Sequence, residues 1–526
     1  MKFLVRLAAT AILGLLGCLP GLPVAAAEAT TEDEVEQLYL KYCGECHGPG
    51  RLGGMGPALL PENLKRLRKP SAVKTIKQGR AATQMPPFEA VLNDEQVNAL
   101  VSYIYTPLKE TPTWGEAEIR ASHIVPYPAG TLGDKPVFSA DPMNLFIVVE
   151  LGDHHATILD GDTFEPIHRF KTRLNLHGGP KYSPDGRYIY LASRDGWISK
   201  FDLYNLKVVA EIRAGINTRN LAVSADGRTV MVANYLPHTL VALDAEDLSL
   251  LKVIPVVDKE GRSSRVSAVY TAKPRRSFIA ALKDLKEVWE INYEMEPPAG
   301  FGSWVHDYRK DSGDGNTVER FPVRTIRVNN YLDDFFFDQD YILLIGASRD
   351  GYSEVVDLDA ARVIAKPNLP GMPHLASGIT WEYQGRMVMA TPNLREATVS
   401  VIDLESWELV KKIPTHGPGF FMRSHENTPY AWVDVFFGPH KDEVHIIDKR
   451  TLEIVKTLRP APGKTAAHVE FTRDGRYALL SIWEHDGALV VYDAATFEEV
   501  KRLPMVKPSG KYNVWNKTRL SAGTSH

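Results

Sequence analysis

Cys43-Gly44-Glu45-Cys46-His47 is the stretch most plainly equipped for chemistry. Two thiols three residues apart stand on one helical turn, where each can add to a vinyl group of a haem. The adjacent histidine then reaches the iron from the same side. The run is therefore the attachment signature of a c-type haem. A redox CxxC or half of a zinc site fits poorly. Zinc needs two further ligands at suitable spacing, and Cys18 is the one other cysteine. Gln84-Met85-Pro86-Pro87-Phe88 offers the sixth iron ligand. Its prolines fix the approach of the Met85 thioether, and soft methionine ligation raises the haem potential. Met55, in a Gly-rich loop, is the competing thioether.

The elements that must hold these ligands surround them. Thr31 is placed to cap a helix whose first turn carries Glu32, Asp33 and Glu34, favourable at the positive end of a helix dipole. Val35, Leu38, Tyr39 and Tyr42 then recur at helical spacing and deliver the chain to Cys43. Further on, Asn93 precedes Asp94-Glu95, and Val97, Leu100, Val101 and Ile104 mark one face of another helix. Residues 28–108 thus read as a small all-α cytochrome c domain. Such a domain carries electrons and rarely performs the chemistry alone. Residues 109–135, with Pro112, Pro126 and Pro128, read as a linker or strap.

Residues 1–27 read as a secretory signal. Lys2 and Arg6 supply its charge, Leu7–Leu16 its apolar run, and Ala25-Ala26-Ala27 its cleavage site. The run is short for a membrane span. Leu15-Leu16-Gly17-Cys18 also resembles a lipobox, which would leave Cys18 lipidated. Cleavage after Ala27 leaves Cys43 and Cys46 as the remaining cysteines, both taken by haem, consistent with a periplasmic cytochrome. A formal charge of −4 gives no electrostatic case for nucleic acid.

From residue 136 to 526 the chain repeats itself. Ser183-Pro184-Asp185-Gly186-Arg187-Tyr188 is echoed by Ser224-Ala225-Asp226-Gly227-Arg228-Thr229 and by Thr472-Arg473-Asp474-Gly475-Arg476-Tyr477. Each turn precedes an alternating strand. A following strand ends in aspartate or just beyond it, as in Ile198–Leu203, Val444–Asp448 and Leu489–Asp493, and a third strand comes after. Units of roughly 40–45 residues with several short strands indicate a β-propeller. Units beginning near Phe138, Lys181, Ala222, Tyr270, Phe335, Thr380, Thr428 and Phe471 make it eight-bladed, with seven blades as the alternative and Glu294–Arg320 as an insertion. The expected architecture is a small all-α cytochrome c domain followed by an all-β eight-bladed propeller.

A propeller alone is a scaffold, and an interaction platform is its plainest reading. His177, His374 and His468 lower the weight of that reading. Each sits just before or at the start of a blade, where an inner strand aims side chains at the axis. Any one alone is more often a satisfied histidine than a ligand; three at comparable positions point to a shared central site.

The fusion resembles the cytochrome cd1 family, whose propeller holds haem d1. The resemblance spans nearly the whole mature chain. It rests on Leu176-His177-Gly178, Ala192-Ser193-Arg194-Asp195-Gly196, Leu369-Pro370-Gly371-Met372-Pro373-His374 and Gly510-Lys511-Tyr512-Asn513-Val514-Trp515-Asn516. It implies that His177 is the proximal ligand of the d1 iron and His374 the distal residue. Family members that reduce nitrite use two distal histidines as proton donors, and Asp333 stands near the place of the second. Ala467-His468-Val469-Glu470 instead carries a histidine where those reductases have none. Leu332–Asp338, Gly346–Gly351, His416–Asn427 and Tyr512–Asn516 resemble the branch that dehydrogenates dihydro-haem d1.

On that branch the resemblance implies oxidation of a propionate of dihydro-haem d1 to the acrylate, the last step of haem d1 biosynthesis. His468 is then the base, assisted by Tyr512, and electrons pass to the haem on Cys43 and Cys46, ligated by His47 and Met85. Arg173, Arg194, Arg219 and Lys283 are the candidates for the substrate's carboxylates. The implied partners are dihydro-haem d1, a periplasmic electron acceptor, and the cd1 nitrite reductase with other d1 assembly proteins. Nitrite reduction and a non-catalytic d1 carrier are the alternatives.

Overall fold

The computed structural model describes residues 32–80, 85–110, 112–294 and 320–519. The expected signal segment, Cys18 and the Thr31 cap lie outside the described residues, as do 295–319 of the expected insertion. No described helix is long and apolar enough to cross a membrane.

The N-terminal part is built from α1 (Glu32–Tyr42), α2 (Gly44–His47), α3 (Lys69–Gln78) and α4 (Asp94–Ile104). Helix α4 starts in a reciprocal capping box: Gln96 N–H donates to the Asn93 side chain, and Asn93 N–H to the Gln96 side chain. The apolar faces of α1 and α4 meet through Val35, Tyr39, Val97, Leu100 and Val101, with Met85 and Phe88 against the same cluster.

Eight four-stranded antiparallel sheets follow. Each repeated turn has one construction. The hydroxyl of Ser183, Ser224 or Thr472 donates to the aspartate two residues on, at 2.5, 2.5 and 2.7 Å. It also accepts the N–H of Tyr188, Thr229 or Tyr477, which starts the next strand. Gly186, Gly227 and Gly475 sit at φ of +80°, +72° and +74°, a region that disfavours a Cβ. The aspartates near the strand ends are local caps. Asp202, Asp403 and Asp493 each accept two following backbone N–H groups. Strands sandwiched between neighbouring blades lose their alternation, and Thr229–Leu236 is buried at all eight positions.

Two features were not legible in the repeats. The strand beside Phe146–Glu150 in the first blade is Pro508–Asn513, from the other end of the chain, with Ile147 opposite Tyr512 and Val148 opposite Lys511. Within the segment expected as a linker or strap, α5 (Glu116–Ala121) inserts fully buried Ile119 among Ile198, Ile212 and Leu221 of the propeller. Trp114 Nε1 donates to the Arg213 carbonyl at 2.8 Å. This stretch is a docked strap.

The cytochrome domain sits on its own propeller. Ala58 and Leu60 pack on Ile216 and Leu236. Asn63 donates to the Tyr235 carbonyl at 3.2 Å, and Arg66 donates to the Lys283 carbonyl and to Asp350 at 2.8 and 2.9 Å.

If Pro508–Asn513 closes the ring, a chain ending at Lys507 should melt at a lower temperature and over a broader range than the full chain. Calorimetry on the two proteins decides this, and an unchanged transition excludes closure by that strand.

Candidate functional site

In the cytochrome domain, α1 delivers Cys43 and Cys46 as half-buried free thiols on one turn. His47 is buried, and its Nδ1 lies 2.8 Å from the Pro57 carbonyl. Only a protonated Nδ1 bonds well there, so Nε2 keeps its lone pair. Gly56 lies so close that a Cβ would stand 2.6 Å from the imidazole. Half-buried thiols, an oriented imidazole and an apolar wall fit a covalent haem c. Met85 lines that wall, held by a hydrogen bond from Arg80 N–H to its carbonyl at 3.1 Å.

The three propeller histidines come together through one chain of contacts. His177 precedes the inner strand of the second blade, and a Cβ on nearby Gly179 would stand 3.2 to 3.3 Å from the Tyr512 ring. The Tyr512 ring lies 5.2 Å from that of His468. Phe421 is 4.7 Å from His468 and 6.0 Å from His374. The closing strand thus contributes Tyr512 between residues that arrive from blades far apart in sequence.

The histidines divide into two kinds. His177 Nδ1 lies 2.8 Å from the Arg219 carbonyl, and His374 Nδ1 lies 2.5 Å from the Phe420 carbonyl. Both repeat the Nδ1 arrangement of His47, which fixes tautomer and ring angle; the Arg219 guanidinium also lies 3.1 Å from His177 Nε2. His468 differs. It sits in a bulge of the strand Ala466–Phe471 at φ +55°, outside the ordinary strand conformation. Its N–H donates to the buried Asp434 carboxylate at 3.2 Å, while its Nδ1 is buried and meets no partner on another residue. Burial pushes His468 well below the ordinary histidine range, and Lys511, Arg423 and Lys517 add to the shift. Burial, then Arg194 and Arg219, do the same to His177. Both imidazoles are therefore neutral near pH 7.

Asp434 was not legible as a site residue. Its carboxylate accepts from Phe420 N–H and Phe421 N–H at 2.7 and 3.0 Å, fixing the aromatic pair beside His374. Burial raises it to about 6. Lys511 is likewise hidden, fully buried with Nζ donating to Ser481 at 2.7 Å and to the His468 carbonyl. An alternating strand hides both; only the ring closure reveals where they point.

Three of the four expected carboxylate binders meet at the axis. Arg194, Arg219 and Lys283 surround Tyr235 together with Arg265, and Arg219 also touches the His177 ring. Burial alone would raise the Tyr235 phenol, but these four cations bring it down to about 7. Arg194 is lowered to about 9 by burial and by Arg219, and its Nε is buried without a partner. Asp284 pairs with Arg265 and Asp333 with Lys283, so the unmatched buried charge is that of Arg194 and Arg219, which is costly unless an anion completes it. Arg173 stands apart: it forks onto Glu211 at 2.9 and 2.6 Å and lies over Trp197. Its charge is already matched. Asp333 binds Lys283 at 2.5 Å and faces Arg66 at 3.5 Å. Burial would raise this carboxyl, but Lys283, Arg349 and Arg66 hold it well below the usual range. A cavity of about 270 Å³ lies at the seam of the two domains, lined by Lys74, Arg80, Arg349 and Arg395 among others. The orphaned imidazole and guanidinium nitrogens, two histidines fixed through Nδ1 and the buried arginines fit an iron tetrapyrrole bearing carboxylates.

The cation cluster makes a testable statement. In the protein without tetrapyrrole, ultraviolet difference titration should show one tyrosine ionising near pH 7, lost in Tyr235→Phe. A depressed phenol contributes stability that is absent below its folded value and grows as pH rises toward its unfolded value near 10. Absence of any tyrosine ionisation below about pH 9 would show that the cations do not act on it.

Residues 140–517 match the family described as Cytochrome D1 heme domain, and residues 30–104 match Cytochrome C oxidase, cbb3-type, subunit III. The chain is 56% identical over 513 residues to the Dihydro-heme d1 dehydrogenase of Pseudomonas aeruginosa, covering 97% of this chain and 100% of that protein. A Nitrite reductase of Stutzerimonas stutzeri is 23% identical, with 94% of each chain covered. The solved structure titled Dihydro-heme d1 dehydrogenase NirN in complex with DHE superposes with a TM-score of 0.75 at 58% identity, covering 92% of this chain and 99% of that one. The chain therefore belongs to the cytochrome cd1 family, a cytochrome c domain joined to a d1 haem propeller.

Proposed function

We infer that the chain is a dihydro-haem d1 dehydrogenase, an oxidoreductase that converts a propionate of its substrate to the acrylate of haem d1. The observation that carries this reading is the contrast between His468, buried with an unpartnered Nδ1, and the two histidines whose Nδ1 is taken by a carbonyl. In this reading His177 and His374 hold the substrate's iron through Nε2. Arg194, Arg219 and Lys283 receive carboxylates through charge-assisted hydrogen bonds. His468 accepts a proton from the side chain, with Tyr512 packed against it.

Forming the double bond releases two protons and two electrons overall. When bound, the covalent haem c on Cys43 and Cys46 supplies a one-electron acceptor, emptied to an external partner between the two transfers. The chain's own part is to keep the base neutral, exclude water and fix the side chain. His468 is depressed by burial first and by the cations around it. An anionic substrate offsets those cations and strengthens the base where it is needed.

Nitrite reduction is the weaker reading. The family position expected for a second proton donor holds Asp333, which is ionised and bound by Lys283 and Arg66. The haem-attachment thiols, with no other cysteine after residue 27, support a periplasmic location. The electron acceptor and any delivery to a cd1 nitrite reductase belong to the same proposal.

Anaerobic addition of dihydro-haem d1 should reduce the c haem of the wild-type protein. His468→Ala should still bind the substrate but slow that reduction by roughly 10²–10⁴-fold; undiminished reduction removes His468 from the role. His177→Ala should weaken binding itself, read by titration.

The base also predicts a pH profile. Because the His468 value is depressed, its neutral form persists as pH falls through the ordinary histidine range. kcat/KM, which reports the free enzyme, should stay level from pH 7 through about 6.5. A halving at that point would contradict a buried neutral base.

A further inference from the structure

Away from the axis, the loop that enters the seventh blade and a loop within that blade meet at a cluster that the dehydrogenation does not use. His416 lies between the strands Leu409–Pro414 and Met422–Ser424. His440 and Glu443 lie between Tyr430–Asp434 and Val444–Asp448. His416 Nδ1 is 2.6 Å from one Glu443 carboxylate oxygen, and His440 Nδ1 is 3.1 Å from the other. One donor atom from each residue can be taken so that all three lie within 4.8 Å of one another.

We propose that His416, His440 and Glu443 form a binding site for a divalent transition-metal ion of the zinc class, which clamps these two loops together. Two imidazoles and one carboxylate with an open position form a donor set suited to zinc. Bonds of about 2.0–2.1 Å in a tetrahedral arrangement separate neighbouring donors by about 3.3 Å. His416 now stands 2.6 Å and His440 3.1 Å from Glu443, so both rings must shift and turn to share one ion with it; their side chains are 54% and 47% exposed, so they can. The carboxylate is more firmly set, with 12% exposure, and offers both oxygens to the two rings. The metal replaces the protons now shared between imidazole and carboxylate, and solvent supplies the remaining ligand.

The surroundings are organised for this. His416 N–H donates to His445 Nε2 at 3.2 Å, while His445 Nδ1 bonds the Thr457 hydroxyl at 2.8 Å. That pairing fixes a neutral tautomer behind the site. Glu443 N–H donates to the His440 carbonyl at 3.0 Å, and Val435 N–H to the Glu443 carbonyl at 3.1 Å. Both ligand-bearing segments are thus tied by their backbones before any ion arrives.

The clamp has a consequence at the axis. The first loop carries Phe420 and Phe421; the second carries Phe436 and Phe437, with Phe420 5.3 Å from Phe436 and 6.0 Å from Phe437. Phe421 rests on His468, and the Phe420 carbonyl holds His374. An ion joining the loops holds this aromatic wall against both histidines.

The test uses the full chain with its covalent haem, free of d1, incubated with Zn²⁺, desalted and assayed for zinc and iron by mass spectrometry. One zinc per haem iron is expected for wild type, and none for His440→Ala or Glu443→Gln. Zn²⁺ should raise the melting temperature of wild type alone. His440 is half exposed, so His440→Ala carries the test if Glu443→Gln fails to fold. No zinc retained by wild type, or as much retained by His440→Ala, overturns the proposal.

Discussion

Everything at the axis depends on the pairing of Pro508–Asn513 with Phe146–Glu150. A propeller blade stabilises its neighbours on both sides, so an open ring leaves two apolar blade faces in water. Joining the last strand to the first blade removes both, and fixes the distance around the circle. Three histidines from different blades can then be held to a common centre. The same strand brings Tyr512 beside His468 and Lys511 beneath it, so the closure also builds part of the site.

Within that frame the decisive variable is where each imidazole spends its Nδ1 proton. A carbonyl acceptor fixes tautomer and ring angle at once, and His47, His177 and His374 each have one. His468 has its order imposed from the backbone instead, by a bulge and by Asp434, with its ring nitrogen left unsatisfied. An unpaired buried polar atom costs about 1–3 kcal/mol. The fold carries that cost together with a cluster of buried cations, and both are relieved by one kind of ligand. Concentrated instability at an otherwise well-packed centre is the physical mark of a site awaiting its substrate.

Legibility in the sequence followed the range of the interactions. The turns of the propeller rest on contacts over two to five residues, between Ser183, Asp185 and Tyr188 for example, and so repeat visibly. The capping box at Asn93 is equally local. Arg173 and Arg194 read alike in the chain, yet Glu211 neutralises the first while the second is buried with Arg219. That distinction arises from partners on other strands. The burial of Ile119 within the expected linker is hidden in the sequence for the same reason, because the surface it fills belongs to later blades.

The sequence by itself determined the covalent haem motif, the propeller and its number of blades, and the three histidines proposed for the site, since each is written in spacing, repetition or a family pattern. Tertiary structure alone decided which imidazoles have Nδ1 taken by a carbonyl and which is left unpartnered, which buried cations meet no carboxylate, and that Asp333 is pinned as an ionised carboxylate. Those properties are energies of burial and of charge separation. They depend on distances between residues tens to hundreds apart along the chain, such as Tyr512 to His468 or Arg66 to Asp333, and such distances exist only once the ring has closed.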